Sequence, residues 1–308
     1  MQKTCKQCST GFEITDDDLA FYESVSPVFH EKKELIPPPT LCPECRLQRR
    51  IAFRNERSLH FRPCSFSNKR IIAMHTPDTA FPVYEVSEWL KDHWDPRTYG
   101  REVDFGRPFF DQLLDLRDIV PHFSLYTDPI SNINSEFTNC IAFAKNCYLT
   151  TNSAYDENCY YSRGILHSKD CCDCLRVGHS ELCYECMDSH NCYRCMYVQD
   201  CETCSDCSFS AGLRGCTSCI GCHNLVQKNY CAFNEQLGES EWKRLYGSMH
   251  LTRSVIGEMQ KRSDTLRLAT PQRFANLVQC ENVTGDRTTQ SKNCREVFDC
   301  SKLEDCNY

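Results

Sequence analysis

The chain has 308 residues, 41% of them hydrophobic and 25% charged, with a formal net charge of −7 and 26 cysteines. That length allows about two domains with real cores, and the composition excludes wholesale disorder. The longest uninterrupted apolar run, Cys140 to Ala144, is five residues long, which excludes a transmembrane helix. The opening MQKTCKQCSTGFEITDDD has no apolar segment of the kind that directs secretion. The cysteines therefore read as metal ligands or buried thiols of a cytoplasmic protein rather than as a disulfide framework.

Residues 1–75 form the first expected domain, a zinc-binding module. Cys5-Lys6-Gln7-Cys8 and Cys42-Pro43-Glu44-Cys45 are two CxxC pairs separated by 33 residues. Four thiolates in two such pairs suit a closed tetrahedral zinc site, so zinc is the expected cofactor. Asp16-Asp17-Asp18 reads as the start or cap of a helix rather than an acid/base pair. Charge is uneven: residues 1–75 carry a net +3, and 46–70 hold eight basic residues against the single acid Glu56. A basic stretch beside a metal motif reads either as a nucleic-acid footprint or as a solvated helix face.

Residues 76–133 are rich in aromatics, among them Trp89, Trp94, Phe105, Phe109, Phe110 and Phe123, and read as an N-terminal cap. Within them Pro108 to Leu116 predicts a short helix with Pro in its first turn.

Residues 134–241 carry the strongest signal. Cys147, Cys159, Cys171, Cys183, Cys195, Cys207, Cys219 and Cys231 are spaced by 12 without a slip. In 12-mers counted from Asn146, positions 2, 5, 8 and 11 are mostly small or apolar. Position 7 is Asn, Gly or Asp in six of eight repeats, a turn composition. A lattice of 3 and 12 rejects a helix and predicts a β-solenoid with a narrow lumen lined by small side chains. Coils of 12 or of 24 residues both fit. Cys171/Cys174 with Cys183/Cys186, and Cys192/Cys195 with Cys204/Cys207, would stack in consecutive coils as second metal sites or as thiol ladders. Cys219-Ile220-Gly221-Cys222-His223 matches a haem-attachment string, and Cys201, Cys204 and Cys207 match half a ferredoxin run. The lattice already accounts for both. Residues 242–278 read as a helical insertion. Residues 279–308 read as a resumed, incomplete repeat, in which Cys294 and Cys306 restore the spacing. That final coil is expected to be covered by another chain or by the insertion, or else the chain is truncated. Cys64 and Cys280 lie off the lattice and read as ordinary thiols.

Three resemblances bear on these segments. CKQCSTGFEITDDDLAFYES followed by PPPTLCPECRLQRR resembles a zinc-ribbon or treble-clef family, with SPVFHEKKELIPPP as an added spacer. That resemblance implies a helix starting at Cys45 and running through Arg46, Arg49, Arg50 and Arg54, the candidate nucleic-acid contacts. The 12-residue pattern resembles the coils of insect antifreeze β-helices but lacks their Thr ice face. The whole chain resembles Cys-rich uncharacterised proteins of small-genome bacteria, on RNERSL at 54–59, HWDPRTYGREVDFGRPFFDQL at 93–113, KNCYL at 145–149, SELCYEC at 180–186 and CIGCHNLVQKNYCAFN at 219–234. Some of those carry a family III CoA-transferase label. No Rossmann-like alternation around a carboxylate nucleophile supports it here, so the resemblance implies architecture and no activity.

The expected fold class is mainly β with small α parts: an N-terminal zinc ribbon or treble clef, then a right-handed parallel β-solenoid with a helical insertion. No phosphate loop, nucleophile elbow or HExxH is present. His167 and His179 share position 10 and read as solvated surface. The expected function is a non-catalytic scaffold that binds protein or nucleic acid, its solenoid lined by Tyr148, Tyr160, Tyr161, Tyr184 and Tyr197. The alternative is a metal-handling or thiol redox-buffering protein that uses the interior cysteines.

Overall fold

The computed structural model describes residues 1–51, 55–278 and the strand 288–289. These fall into two compact units, residues 1–51 with 272–278 and 288–289, and residues 55–271. Residues 55–75, assigned above to the zinc-binding module, belong to the second unit because Cys64, Ile71 and Ala73 share a core with Val83.

In the first unit β1 (Gln2–Thr4) and β2 (Gly11–Glu13) form an antiparallel hairpin. Helix α1 (Asp16–Val25) begins at the three aspartates, as expected. Its N-cap Thr15 accepts from the Asp18 amide at 3.1 Å, and Asp18 Oδ2 accepts from the Thr15 amide at 2.8 Å, a reciprocal capping box. The added spacer is itself a hairpin, β3 (Val28–Phe29) with β4 (Lys32–Lys33), turned through left-handed His30 and Glu31. Helix α2 (Pro43–Ile51) follows.

The second unit opens with the hairpin of β5 (His60–Pro63) and β6 (Arg70–Ala73). Then come β7 (Val83–Tyr84), the single turn α3 (Val86–Trp89), helix α4 (Phe109–Arg117) and β8 (His122–Phe123), which pairs parallel with β7. Trp89 is held by its indole N–H to Pro121 O at 2.9 Å, and its ring meets Trp94 and Phe123. Phe105, Phe109 and Phe110 lie outside this cluster and are exposed.

The solenoid strands are β9 (Asn139–Ala142), β10 (Thr151–Ala154), β11 (Leu175–Gly178), β12 (Met187–His190), β13 (Met196–Gln199), β14 (Ser208–Ala211), β15 (Thr217–Ile220) and β16 (Asn229–Ala232). All neighbours among them pair in parallel, and each residue meets the one 12 later: Thr151 with Asn139, Leu175 with Met187, Thr217 with Asn229. The coil is therefore 12 residues, not 24. About eight turns stacked at roughly 4.8 Å make a rod about 38 Å long.

The 3-residue lattice has a backbone cause. Every third residue from Cys140 through Phe233 has φ between +48° and +68°, and only Gly164, Gly212, Gly215 and Gly221 among them are glycine. Positions 1, 4, 7 and 10 are thus four left-handed corners, and each coil has four short sides. A left-handed L-residue costs roughly 1–2 kcal/mol. Ladders along the corners offset that cost. Phe143, Tyr155, His167 and His179 stack at 4.6, 4.6 and 4.9 Å between centroids, with interplanar angles of 1°, 6° and 15°. The Asn134, Asn146, Asn158 and Asp170 side chains hydrogen-bond in series at 3.2, 3.0 and 2.8 Å. Aromatic pairs contribute about 0.5–1.5 kcal/mol beyond area.

Thr203 is an exposed β-branched residue at such a corner, with φ +54°. Thr203→Gly should raise stability by roughly 0.5–1 kcal/mol, reversing the usual sign for a glycine inside a repeat. Thermal melting of the two proteins checks this.

Positions 2, 5, 8 and 11 point inward and form one continuous buried core. The lumen is more polar than its cysteines suggest. Cys171 Sγ donates to Lys169 O at 3.3 Å and to Ser180 O at 3.7 Å. Ser168 Oγ donates in the same pattern, to Leu166 O at 3.1 Å and Val177 O at 3.4 Å. Small donors at these positions thus use the second lone pair of carbonyls that already accept from the backbone.

The last described coil is covered. β17 (Glu235–Gln236) folds back antiparallel on β16. Helices α5 (Glu239–Ser248) and α6 (Arg253–Ala269) supply Trp242, Ile256 and Met259 to a cluster with Tyr197, Phe209, Ile220 and Tyr230. Tyr197, expected on an open face, lies in this cluster. The resumed repeat expected at 279–308, with Cys280, Cys294 and Cys306, lies outside the described residues. Strand β18 (Leu277–Val278) pairs parallel with β19 (Thr288–Thr289), at an offset of 11.

Candidate metal centre

The β1–β2 turn and the start of α2 bring together the two CxxC pairs. Cys5 ends β1; its amide donates to Thr10 O at 2.9 Å and its carbonyl accepts from Ser9 N at 3.0 Å. Ser9 is left-handed at φ +62°, which closes the knuckle. The Lys6 amide reaches across to Thr40 O at 3.0 Å and so fixes the segment that leads to Cys42. Pro43 occupies the first helical position, where its missing N–H costs nothing. The first turn of α2 then points Cys42 and Cys45 at the knuckle.

The four sulfurs all lie within 4.8 Å of one another, with Cys8 Sγ and Cys42 Sγ 3.6 Å apart. A tetrahedral ion with metal–sulfur bonds of about 2.3 Å separates its sulfurs by about 3.8 Å, so the set matches a four-thiolate site. Phe12 and Leu41 pack against it; Cys5, Cys42 and Cys45 are buried and Cys8 is exposed. Desolvation would raise the Cys5 thiol, but the amides of Cys42, Cys8 and Gln7 donate to its sulfur and hold it down at about 6. Desolvation, then the thiols of Cys8, Cys42 and Cys5, push Cys45 up to about 12. The protein alone cannot ionise all four. A divalent cation would, because it neutralises the repulsion that keeps Cys45 protonated.

No protein-family model matches the chain. A search of curated proteins found no significant match either. The functional reading therefore rests on the chain's own residues.

Among the described residues, Cys5, Cys8, Cys42 and Cys45 are the group whose ligand atoms approach in this way. The interior sets Cys171, Cys174, Cys183, Cys186 and Cys192, Cys195, Cys204, Cys207 do not form such a group. Their thiols are engaged as donors: Cys174 to Cys183 O at 3.6 Å, Cys186 to Cys195 O at 3.3 Å, Cys195 to Cys204 O at 3.6 Å. The haem-like string is also internal. Cys219 and Cys222 are buried in the lumen, and His223 Nε2 lies 2.9 Å from Ser263 O.

Arg46, Arg49 and Arg50 sit on α2, as the resemblance implied; Arg54 lies outside the described residues. Arg49 and Arg50 are exposed and Arg46 is half-buried. Arg49 Nε donates to Gln7 Oε1 at 3.3 Å, which ties the basic face to the knuckle. No helix among the described residues is long and apolar enough to cross a membrane.

Two groups escaped the sequence reading. Asp156 sits at position 11, inside the lumen and 2% exposed. Its Oδ1 accepts from the Ser168 amide at 2.9 Å, and its Oδ2 has no partner. Cys64 was read as an ordinary thiol, yet its sulfur accepts from the amides of Ser67 at 3.5 Å and Glu85 at 3.4 Å.

Proposed function

We propose that Cys5, Cys8, Cys42 and Cys45 hold a structural zinc ion, and that the chain is a non-catalytic cytoplasmic scaffold. The observation that carries this reading is the closed four-sulfur set: it leaves no ligand position for a substrate, as a catalytic zinc site would. Arg46, Arg49, Arg50 and Arg54 would then meet phosphates of nucleic acid or an acidic protein face. Helix α4 supports a protein partner, because Phe110 is 74% exposed and none of its residues is buried. Elemental analysis of protein purified without added metal tests the reading. One zinc per chain is expected; three or more would favour metal handling by the interior thiols, at the cost of their donations to carbonyls.

Reversing the charge of Arg46, Arg49, Arg50 and Arg54 together should abolish binding to duplex or single-stranded nucleic acid. The slope of log K against log salt should fall by about 3–4, close to one unit for each lost phosphate contact. Binding that keeps its affinity and salt slope would make the basic stretch a solvated surface.

A further inference from the structure

The β5–β6 hairpin repeats the β1–β2 hairpin bond for bond. Cys5 donates to Thr10 O at 2.9 Å and accepts at its carbonyl from Ser9 at 3.0 Å; Cys64 donates to Lys69 O at 2.8 Å and accepts from Asn68 at 2.9 Å. Ser9 and Asn68, each four residues after the cysteine, are both left-handed at φ 62° and 58°. The next residue reaches across in both: Lys6 N to Thr40 O at 3.0 Å, and Ser65 N to Val83 O at 2.8 Å. Two residues beyond those carbonyls stand Cys42 and Glu85, and each immediately precedes a helix, α2 or α3. The donors to sulfur correspond as well. Cys5 receives the amides of Gln7, Cys8 and Cys42, and Cys64 receives those of Phe66, Ser67 and Glu85.

We infer that residues 60–90 are a second copy of the metal module, one that folds without metal, with Ser67, Glu85 and Glu88 at the positions of Cys8, Cys42 and Cys45. The replacement chemistry explains how. In the first copy four sulfurs crowd together and a cation must offset them. In the second a single sulfur remains, and three amides with the Ser67 hydroxyl donate to it. Glu88 binds cations of the protein instead, Lys91 Nζ at 2.8 Å and His93 Nε2 at 3.6 Å. The second copy is also built into the entrance of the solenoid. Its β7 pairs with β8, Met74 N donates to Ser124 O at 2.8 Å, and Val86 N donates to Ser124 Oγ at 3.2 Å. The duplication thus divides the work: the copy with four thiols responds to metal supply, and the copy with one thiol carries the solenoid regardless of it.

The test restores the ligands in the full chain. The triple variant Ser67→Cys, Glu85→Cys, Glu88→Cys should hold one equivalent of zinc more than the wild type. With cobalt(II) it should gain a second set of thiolate charge-transfer and tetrahedral d–d bands. The comparison is a difference, so it stands whatever metal the first copy holds. A folded variant with no additional equivalent overturns the inference. Should the variant not fold, amide exchange on the wild type decides. Chelator should leave the protection of 60–73 and 83–90 unchanged, and its loss there overturns the inference.

Discussion

Cys42→Ser is expected to release the metal and to open residues 1–51, while residues 55–271 keep their melting transition. The first unit has little else to hold it. Its strands are two or three residues long, and the core around the sulfurs comprises three cysteines with Phe12 and Leu41. Four-cysteine zinc sites supply folding free energy directly, with apparent binding of about 10–16 kcal/mol in finger peptides, more than a unit this small can replace. Cys42 is the right residue to remove. Its sulfur lies 3.6 Å from Cys8, its amide donates to Cys5, and its sulfur accepts from the Cys45 amide at 3.5 Å. Limited proteolysis and zinc content read the outcome together. A variant that keeps its zinc and its resistance to cleavage would remove the site as drawn.

The parts legible in the sequence were those with a side-chain signature. Eight cysteines at a spacing of 12 imposed the coil, and two CxxC pairs with Pro43 between them located the metal centre. What stayed hidden was set by backbone or by context. Only position 7 read as a turn, because only there do Asn, Asp and Gly predominate. The corners at positions 4 and 10 hold Tyr155, His167, Tyr197 and Phe209, residues that rarely go left-handed; their stacking across one coil repeat makes it tolerable. Interior cysteine read as a compact hydrophobe, and its S–H donation to carbonyls appears only once the coils are stacked. The second copy of the metal module was hidden because three of its four ligand positions are no longer cysteine. The trace that remains is the spacing, CxxS at 64–67 against ExxE at 85–88, and its meaning comes from the hydrogen bonds rather than the letters.

Asp156 should make the solenoid less stable at neutral pH than in mild acid. Burial in the lumen pushes its carboxyl up to about 7 from an ordinary 3.8, opposed by the Ser168 amide and reinforced by Cys171. Below pH 3.8 the group is protonated in both the folded and the unfolded chain. As pH rises from there toward 7 the unfolded chain releases the proton and the folded chain retains it, so stability falls by about 1.4 kcal/mol per pH unit. The total is about 4 kcal/mol, and above pH 7 this contribution is flat. The protonated form fits its position well. Ser168 and Ser180 also occupy position 11, and each donates to the carbonyl two residues before it, at 3.1 and 2.9 Å. A protonated Oδ2 can do the same, which gives the otherwise unpartnered oxygen a role. Asp156→Asn keeps the shape, the acceptor for Ser168 and a donor in place of Oδ2. It should leave stability near pH 4 almost unchanged, raise it at pH 8 by up to about 4 kcal/mol, and flatten the profile between. Denaturant melts of residues 55–271 within the full chain, taken from pH 4 to 8, check this. Parallel profiles for the two proteins would mean that Asp156 is ionised in the lumen and that its charge is met by a partner.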